Sequence, residues 1–253
     1  MNQRRIHPGW IAVTVTFFTL MASAGYRSAP SVLIVPLEDA FGWSRSQISL
    51  AVSINVLLFG LVAPFAAALM ERFTVRKVVM SALAAVSLGA FGTIFMNAPW
   101  QLVLLWGVVV GVGTGSMALV FAATIASRWF LQRRGLVTGA LTAAAATGQL
   151  VFLPALSSIA INHGWKSVSI TIAVAAAAVI PLIWWGLNED PVAIGAKPYG
   201  APEDWQAPER LQGNAARTAI DAAANVVGGV IDSIYFKKIL FLIKCNNYFF
   251  FIF

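Results

Sequence analysis

Residues 48–80 read ISLAVSINVLLFGLVAPFAAALMERFTVRKVVM. Residues 48–70 carry no charge. Glu71, Arg72, Arg76 and Lys77 then arrive within one short stretch, and Val78 opens a second apolar run. An α-helix rises 1.5 Å per residue, so about 20 apolar residues cross a ~30 Å hydrocarbon core. The segment therefore predicts two membrane-spanning helices joined by a short basic loop.

The same pattern extends in both directions. Apolar stretches of spanning length lie at about 10–36, 48–70, 78–96, 102–126, 136–161 and 168–187, which predicts six transmembrane helices. Short connections make consecutive helices antiparallel neighbours. Composition agrees: the chain is 59% hydrophobic and 11% charged, with a mean hydropathy of +0.79. A soluble domain carries about 25% charged residues, so lipid must be part of this chain's solvent. The net charge of +7 would fit nucleic acid if it lined one face. Instead the basic residues cluster between apolar runs, as in a positive-inside membrane protein, which argues against nucleic acid as a partner.

Sorting Lys and Arg by side sets an orientation. With the N-terminus in the cytoplasm, Arg4, Arg5, Arg72, Arg76, Lys77, Arg128, Arg133 and Arg134 fall inside. Arg45 and Lys166 fall outside. Trp10, Trp43, Trp100, Trp129, Trp165, Trp184 and Trp185 sit near stretch ends, where amphipathic rings favour the headgroup layer. The start also resembles a signal peptide, with Arg4 and Arg5, an apolar run and Ala22-Ser23-Ala24. The charge asymmetry holds only if that segment is retained. One cysteine, Cys245, allows no intrachain disulfide.

Three regions follow. Residues 1–187 form the helical bundle. Residues 188–232 hold Glu189, Asp190, Pro191, Pro198, Pro202 and Pro208 and read as a polar cytoplasmic linker with little stable structure. Residues 233–253 are atypical: from Ile234 onward Ala and Gly vanish in favour of Phe, Ile, Lys and Asn. Such a switch from GC-rich to AT-rich codons points to a frameshift or a junction, and the segment reads as a stray tail. An interfacial segment with Lys237 and Lys238 at lipid headgroups is the alternative.

Two cytoplasmic loops carry the specific signals. In the first, Glu71 and Arg72 precede the basic pair Arg76 and Lys77. Such cations complement helix C-terminal carbonyls and can pair with a neighbouring carboxylate. In the second, Arg128-Trp129-Phe130-Leu131-Gln132-Arg133-Arg134-Gly135 joins the fourth and fifth stretches. The bland reading of the first loop is topology alone; the stronger reading is a conformational gate formed by Glu71, Arg72, Arg76 and Lys77, because topology does not require Glu71.

The first loop resembles the cytoplasmic motif of the major facilitator superfamily, with Glu71 in place of its Asp, and Ala67 and Thr74 in place of two glycines. The second resembles the matching segment of bacterial porters in the monocarboxylate and oxalate–formate branch. The run from Val35 to Ser44 and Gly148-Gln149-Leu150-Val151-Phe152-Leu153-Pro154 fit the same branch. The resemblance covers about residues 4–200. It implies an all-α membrane protein: the six-helix N-terminal bundle of a facilitator, built of two inverted three-helix repeats, with the second bundle absent. It implies a secondary transporter of small organic anions in the bacterial inner membrane, not an enzyme, with no cofactor. The missing C-terminal half or a second copy would complete it. A non-transporting membrane interaction subunit is the reading from another class.

Within the spans, Arg27 stands out as the charged residue far from any loop. An Arg at a span centre costs about 2.5–3.5 kcal/mol on the insertion scale. It either snorkels to the outer interface or faces the pore and attracts an anion, with Tyr26 and Ser28 beside it to add hydrogen bonds. Gly111, Gly113 and Gly115 mimic a nucleotide loop but lie inside an apolar run. Close helix packing is their better reading, and the same holds for Gly139 and Gly148. No carboxylate lies between Arg72 and Asn188, so a buried proton relay there is unsupported. No His/Cys/carboxylate cluster suits a metal.

Overall fold

A computed structural model describes residues 7–117, 119–188 and 190–205. Helix α1 spans Pro8–Phe41. Pro8 occupies its first turn, and the His7 ring accepts the Gly9 N–H at 3.1 Å. It ends at Gly42, whose φ of 68° lets its N–H reach the Glu38 carbonyl at 2.8 Å. Ser44 and Gln47 then form a reciprocal capping box that starts α2, Arg45–Arg72. Thr74 caps α3, Val75–Gly92, which tightens into a 3-10 turn over Thr93–Phe95.

The next spanning stretch, Pro99–Trp129, is composite. It begins with α4, Pro99–Leu102, widens into a π-helical run over Val103–Val110, and resumes as α5, Gly111–Ser116. Helix α6, Leu119–Trp129, completes it. Helix α7, Arg134–Gly186, is 53 residues long. At 1.5 Å per residue a straight helix of that length would measure roughly 80 Å, far more than a bilayer core. Gly164, with φ 77° and ψ 173°, breaks it. Five elements are thus long and apolar enough to span, where six were expected. The expected stretches 136–161 and 168–187 both lie in α7, on either side of the kink at Gly164.

Lipid gives apolar helices no reason to exclude each other's solvent, so close contact and hydrogen bonds must hold them together. Helix α1 packs chiefly on α7, α3 also on α7, and α2 on the 103–116 stretch. Small residues permit the approach. A Cβ at Gly148 would collide with the Met21 carbonyl of α1. One at Gly113 would lie 2.8 Å from the Ala82 carbonyl of α3. Cβ atoms at Gly111 and Gly115, one turn apart, would lie 3.1 and 3.0 Å from the Cα atoms of Asn55 and Phe59 of α2. Gly139 is different: among the described residues a Cβ there meets open space, and no helix packs against it. It is exposed on the outward side of α7.

Polar cross-links complete the bundle. Asn55 Nδ2 donates to the Trp106 carbonyl at 2.8 Å, reaching the π-helical run. Ser87 donates to the Ala173 carbonyl at 2.9 Å, and Thr93 to Ser169 at 3.0 Å.

The two ends differ. One collects the starts of α1, α3 and α7 and the ends of α2 and α6, with Arg72, Arg76, Lys77, Arg128, Arg133 and Arg134. At the other, Phe41 stacks on Trp43 at 4.4 Å and meets Trp165 at 5.4 Å, and Arg45 pairs with Glu38 at 2.9 Å. Residues 190–205, expected to hold little stable structure, are docked at the basic end. The reason is unfinished hydrogen bonding in the α6–α7 loop. Tyr199 donates its N–H to the Trp129 carbonyl at 2.8 Å, and its own carbonyl accepts from Leu131 and Gln132 at 3.0 and 3.3 Å. Its ring sits among His7, Trp10 and Phe130, with centroids 5.6–6.0 Å away. The expectations for residues 206–253, the tail included, lie outside the described residues.

Candidate functional site

A cleft opens halfway along α1. Leu20, Ser23, Ala24 and Arg27 recur at helical spacing and form one wall. Phe59 of α2 forms a second. Met117, Leu119 and Ala122 form a third, and Leu141, Thr142 and Ala145 of α7 a fourth. Arg27 reaches into this space, its Cζ 4.2 Å from the Phe59 ring centroid. No acidic residue lines the cleft, and Arg27 makes no ion pair among the described residues. Ser23 and Thr142 are its polar lining.

Tyr26 and Ser28, expected to assist Arg27, point elsewhere. Successive helical residues diverge by about 100°, so the neighbours of a cleft residue turn into the bundle. Tyr26 is 2% exposed, and its hydroxyl has no partner among the described residues. Ser28 donates to the Ala24 carbonyl at 3.1 Å. The rise from Pro8 to Arg27 is roughly 28 Å, and from Arg27 to Phe41 roughly 21 Å.

At the basic end the loop residues separate in role. Arg76 Nε and Nη2 both donate to the Leu187 carbonyl, at 2.9 and 2.7 Å, and its Cζ lies 5.8 Å from the Trp184 ring. Arg128 pairs with Asp190 at 3.2 Å. Arg134 donates to the Phe130 and Ser127 carbonyls, satisfying the end of α6. Arg133 takes a left-handed φ of 62° at the start of α7. Glu71, Arg72 and Lys77 are exposed, and Glu71 has no ion pair among the described residues. Of the first loop's charges, only Arg76 ties two helices together by its side chain among the described residues.

A sequence profile described as the Major Facilitator Superfamily matches residues 15–252. The chain belongs to that superfamily. Its members are membrane transporters, not enzymes, and the apolar helices of this facilitator fit membrane spans. An uncharacterized MFS-type transporter of Bacillus subtilis, YcxA, is 30% identical over 200 residues, covering 78% of this chain and 48% of the relative. Human monocarboxylate transporter 7 is 29% identical, covering 62% of this chain and 30% of the relative. Mouse monocarboxylate transporter 2 is 27% identical over 62% of this chain and 32% of its own length. The facilitator chain thus spans half or less of these relatives. Among solved structures, the proton:xylose symporter XylE superposes with a TM-score of 0.60 at 15% identity, covering 87% of this chain and 52% of the symporter. At that identity the likeness concerns fold alone.

In the sequence of the facilitator Arg27 and Arg76 stand out by their charge, but most of their neighbours do not. Ser23 was within reach, because it sits one turn before Arg27. Phe59 was not: it is one apolar residue in an apolar run, and nothing local marks its face.

Proposed function

We propose that this facilitator moves small organic anions of the monocarboxylate type, with Arg27 facing the translocation path. The observation that carries this is the cleft: a guanidinium among apolar walls, with no acid partner among the described residues. Ionisable residues within spans face a bundle interior or a water-filled cavity and mark substrate paths. Snorkelling to the outer interface is the competing reading, and what favours the cleft is that the guanidinium lies against Phe59 within it. The monocarboxylate transporters among the relatives support the substrate class.

In this reading α7 is two spans that turn at Gly164, giving six in all, with the N-terminus and the basic end in the cytoplasm by the positive-inside rule. Facilitators carry substrate between two bundles, so a second bundle must face the Arg27 cleft. That bundle comes from a C-terminal half or from a second copy of this chain.

The test is uptake of labelled short monocarboxylates into proteoliposomes, with the chain alone and with a supplied C-terminal half. Arg27→Gln should abolish uptake while leaving folding intact. Uptake unchanged in Arg27→Gln would remove the anion reading.

A further inference from the structure

The geometry points to Phe59 as the residue that positions Arg27 for an incoming carboxylate, an inference that rests on the anion reading above. Three observations converge on it. The first is the contact itself, with the Arg27 Cζ 4.2 Å from the Phe59 centroid. A guanidinium is planar and weakly hydrated, and it is attracted to the face of an aromatic ring. The second is the lack of competition. No carboxylate lines the cleft, and no hydrogen bond from the Arg27 side chain to another described residue is present, so the ring is its fixed neighbour. The third is the support behind the ring. Gly115 lets α5 approach α2 until a Cβ would stand 3.0 Å from the Phe59 Cα and 3.1 Å from its carbonyl. Gly111 does the same one turn away at Asn55, and Asn55 is itself tied to the Trp106 carbonyl at 2.8 Å. The backbone under Phe59 is therefore held at two successive turns.

The chemical consequence follows from guanidinium shape. A ring close to the cation limits where the side chain swings within the cleft while leaving N–H donors free to meet a carboxylate. Two parallel N–H donors match two carboxylate oxygens, a geometry that Lys cannot offer. Phe59 thereby acts through Arg27 and is a positioning residue. The apolar lining of Leu20, Leu141 and Ala145 suits a short hydrocarbon body beyond the carboxylate.

The experiment uses the full chain in detergent micelles with trifluoropropionate as the probe, its binding followed by fluorine NMR. The rate of phenylglyoxal labelling at Arg27 is read in parallel by mass spectrometry, with exposed Arg72 and Arg133 as internal references. Phe59→Leu should weaken probe binding by about tenfold, and Phe59→Tyr should stay within about threefold of the parent. Phe59→Leu should also raise Arg27 labelling several-fold without moving the reference rates. If Arg27→Gln loses binding while Phe59→Leu keeps parental affinity, the positioning role is overturned and the anion reading survives. If Arg27→Gln binds like the parent, or the parent binds nothing even with a supplied C-terminal half, the anion reading falls. The labelling rate then decides alone whether Phe59 holds the guanidinium, and an unchanged rate overturns that as well.

Discussion

Arg76, at the start of α3, closes the far end of α7 by donating two hydrogen bonds to the carbonyl of Leu187. Leu187 is fully buried, and its oxygen belongs to the last helical turn, whose carbonyls lack intrahelical partners. Removing Arg76 strands that oxygen. Arg76→Ala should destabilise the chain by about 1–3 kcal/mol, read by thermal unfolding in detergent. Arg76→Lys should recover part of the loss, since an ammonium can supply donors but not the planar fork.

The contrast between Gly148 and Gly139 gives a paired test on one helix. Gly148→Ala forces a methyl against the Met21 backbone, which cannot move aside as a side chain would, and should cost about 1–3 kcal/mol. Gly139→Ala meets open space and should be neutral or stabilising by up to about 1 kcal/mol through helix propensity. Melting temperatures in the same micelle decide both. Equal losses at the two sites would contradict the packing described for α1 and α7.

Tyr199 supplies backbone partners to the α6–α7 loop, and hydrogen exchange should see them. In Tyr199→Pro the N–H to the Trp129 carbonyl disappears, and the Leu131 and Gln132 amides should exchange at least tenfold faster. Tyr199→Ala removes the ring contacts with His7, Trp10 and Phe130 instead. It should cost about 1–3 kcal/mol, from aromatic pairs at about 0.5–1.5 kcal/mol each. Exchange at parental rates in both variants would mean the segment is not docked in solution.

The Arg128–Asp190 pair is partly exposed, at 23% and 17% of its side chains. Solvent screens such a pair, so a double-mutant cycle with Arg128→Gln and Asp190→Asn should return a coupling of only about 0.5–1 kcal/mol. Raising salt to molar concentration should shrink it further.

Hydropathy made the spans legible because crossing a bilayer constrains length and polarity one segment at a time. Ile48 through Met70 needed no partner to be recognised. The break between 136–161 and 168–187 was legible as well, because Asn162, His163 and Lys166 interrupt the apolar run; that Gly164, with its φ of 77°, is the residue that makes the turn is visible only in three dimensions. Arg27 could be singled out by its charge. Its companions could not, because α2 is apolar nearly all round, with Leu50, Val56 and Leu57 exposed as freely as Phe59 is half-covered. A helix without a polar face gives no phase from which to read inward and outward sides. Tyr199 was hidden for the opposite reason. Its prolines and charges suggested a linker, and its docking depends on loop groups some 70 residues earlier in the chain.

The absence of acids around Arg27 has an electroneutrality consequence. A pump that stores its own counterion can rest with its site empty. Here the described walls store none, so on the anion reading proposed above an entering anion would complete the site's charge balance as well as occupy it. Cargo and counterion become the same species, and the vacant cleft becomes the state least suited to crossing the low-dielectric middle of the bilayer. On that reading, exchange of one anion for another would be favoured over return with the cleft empty.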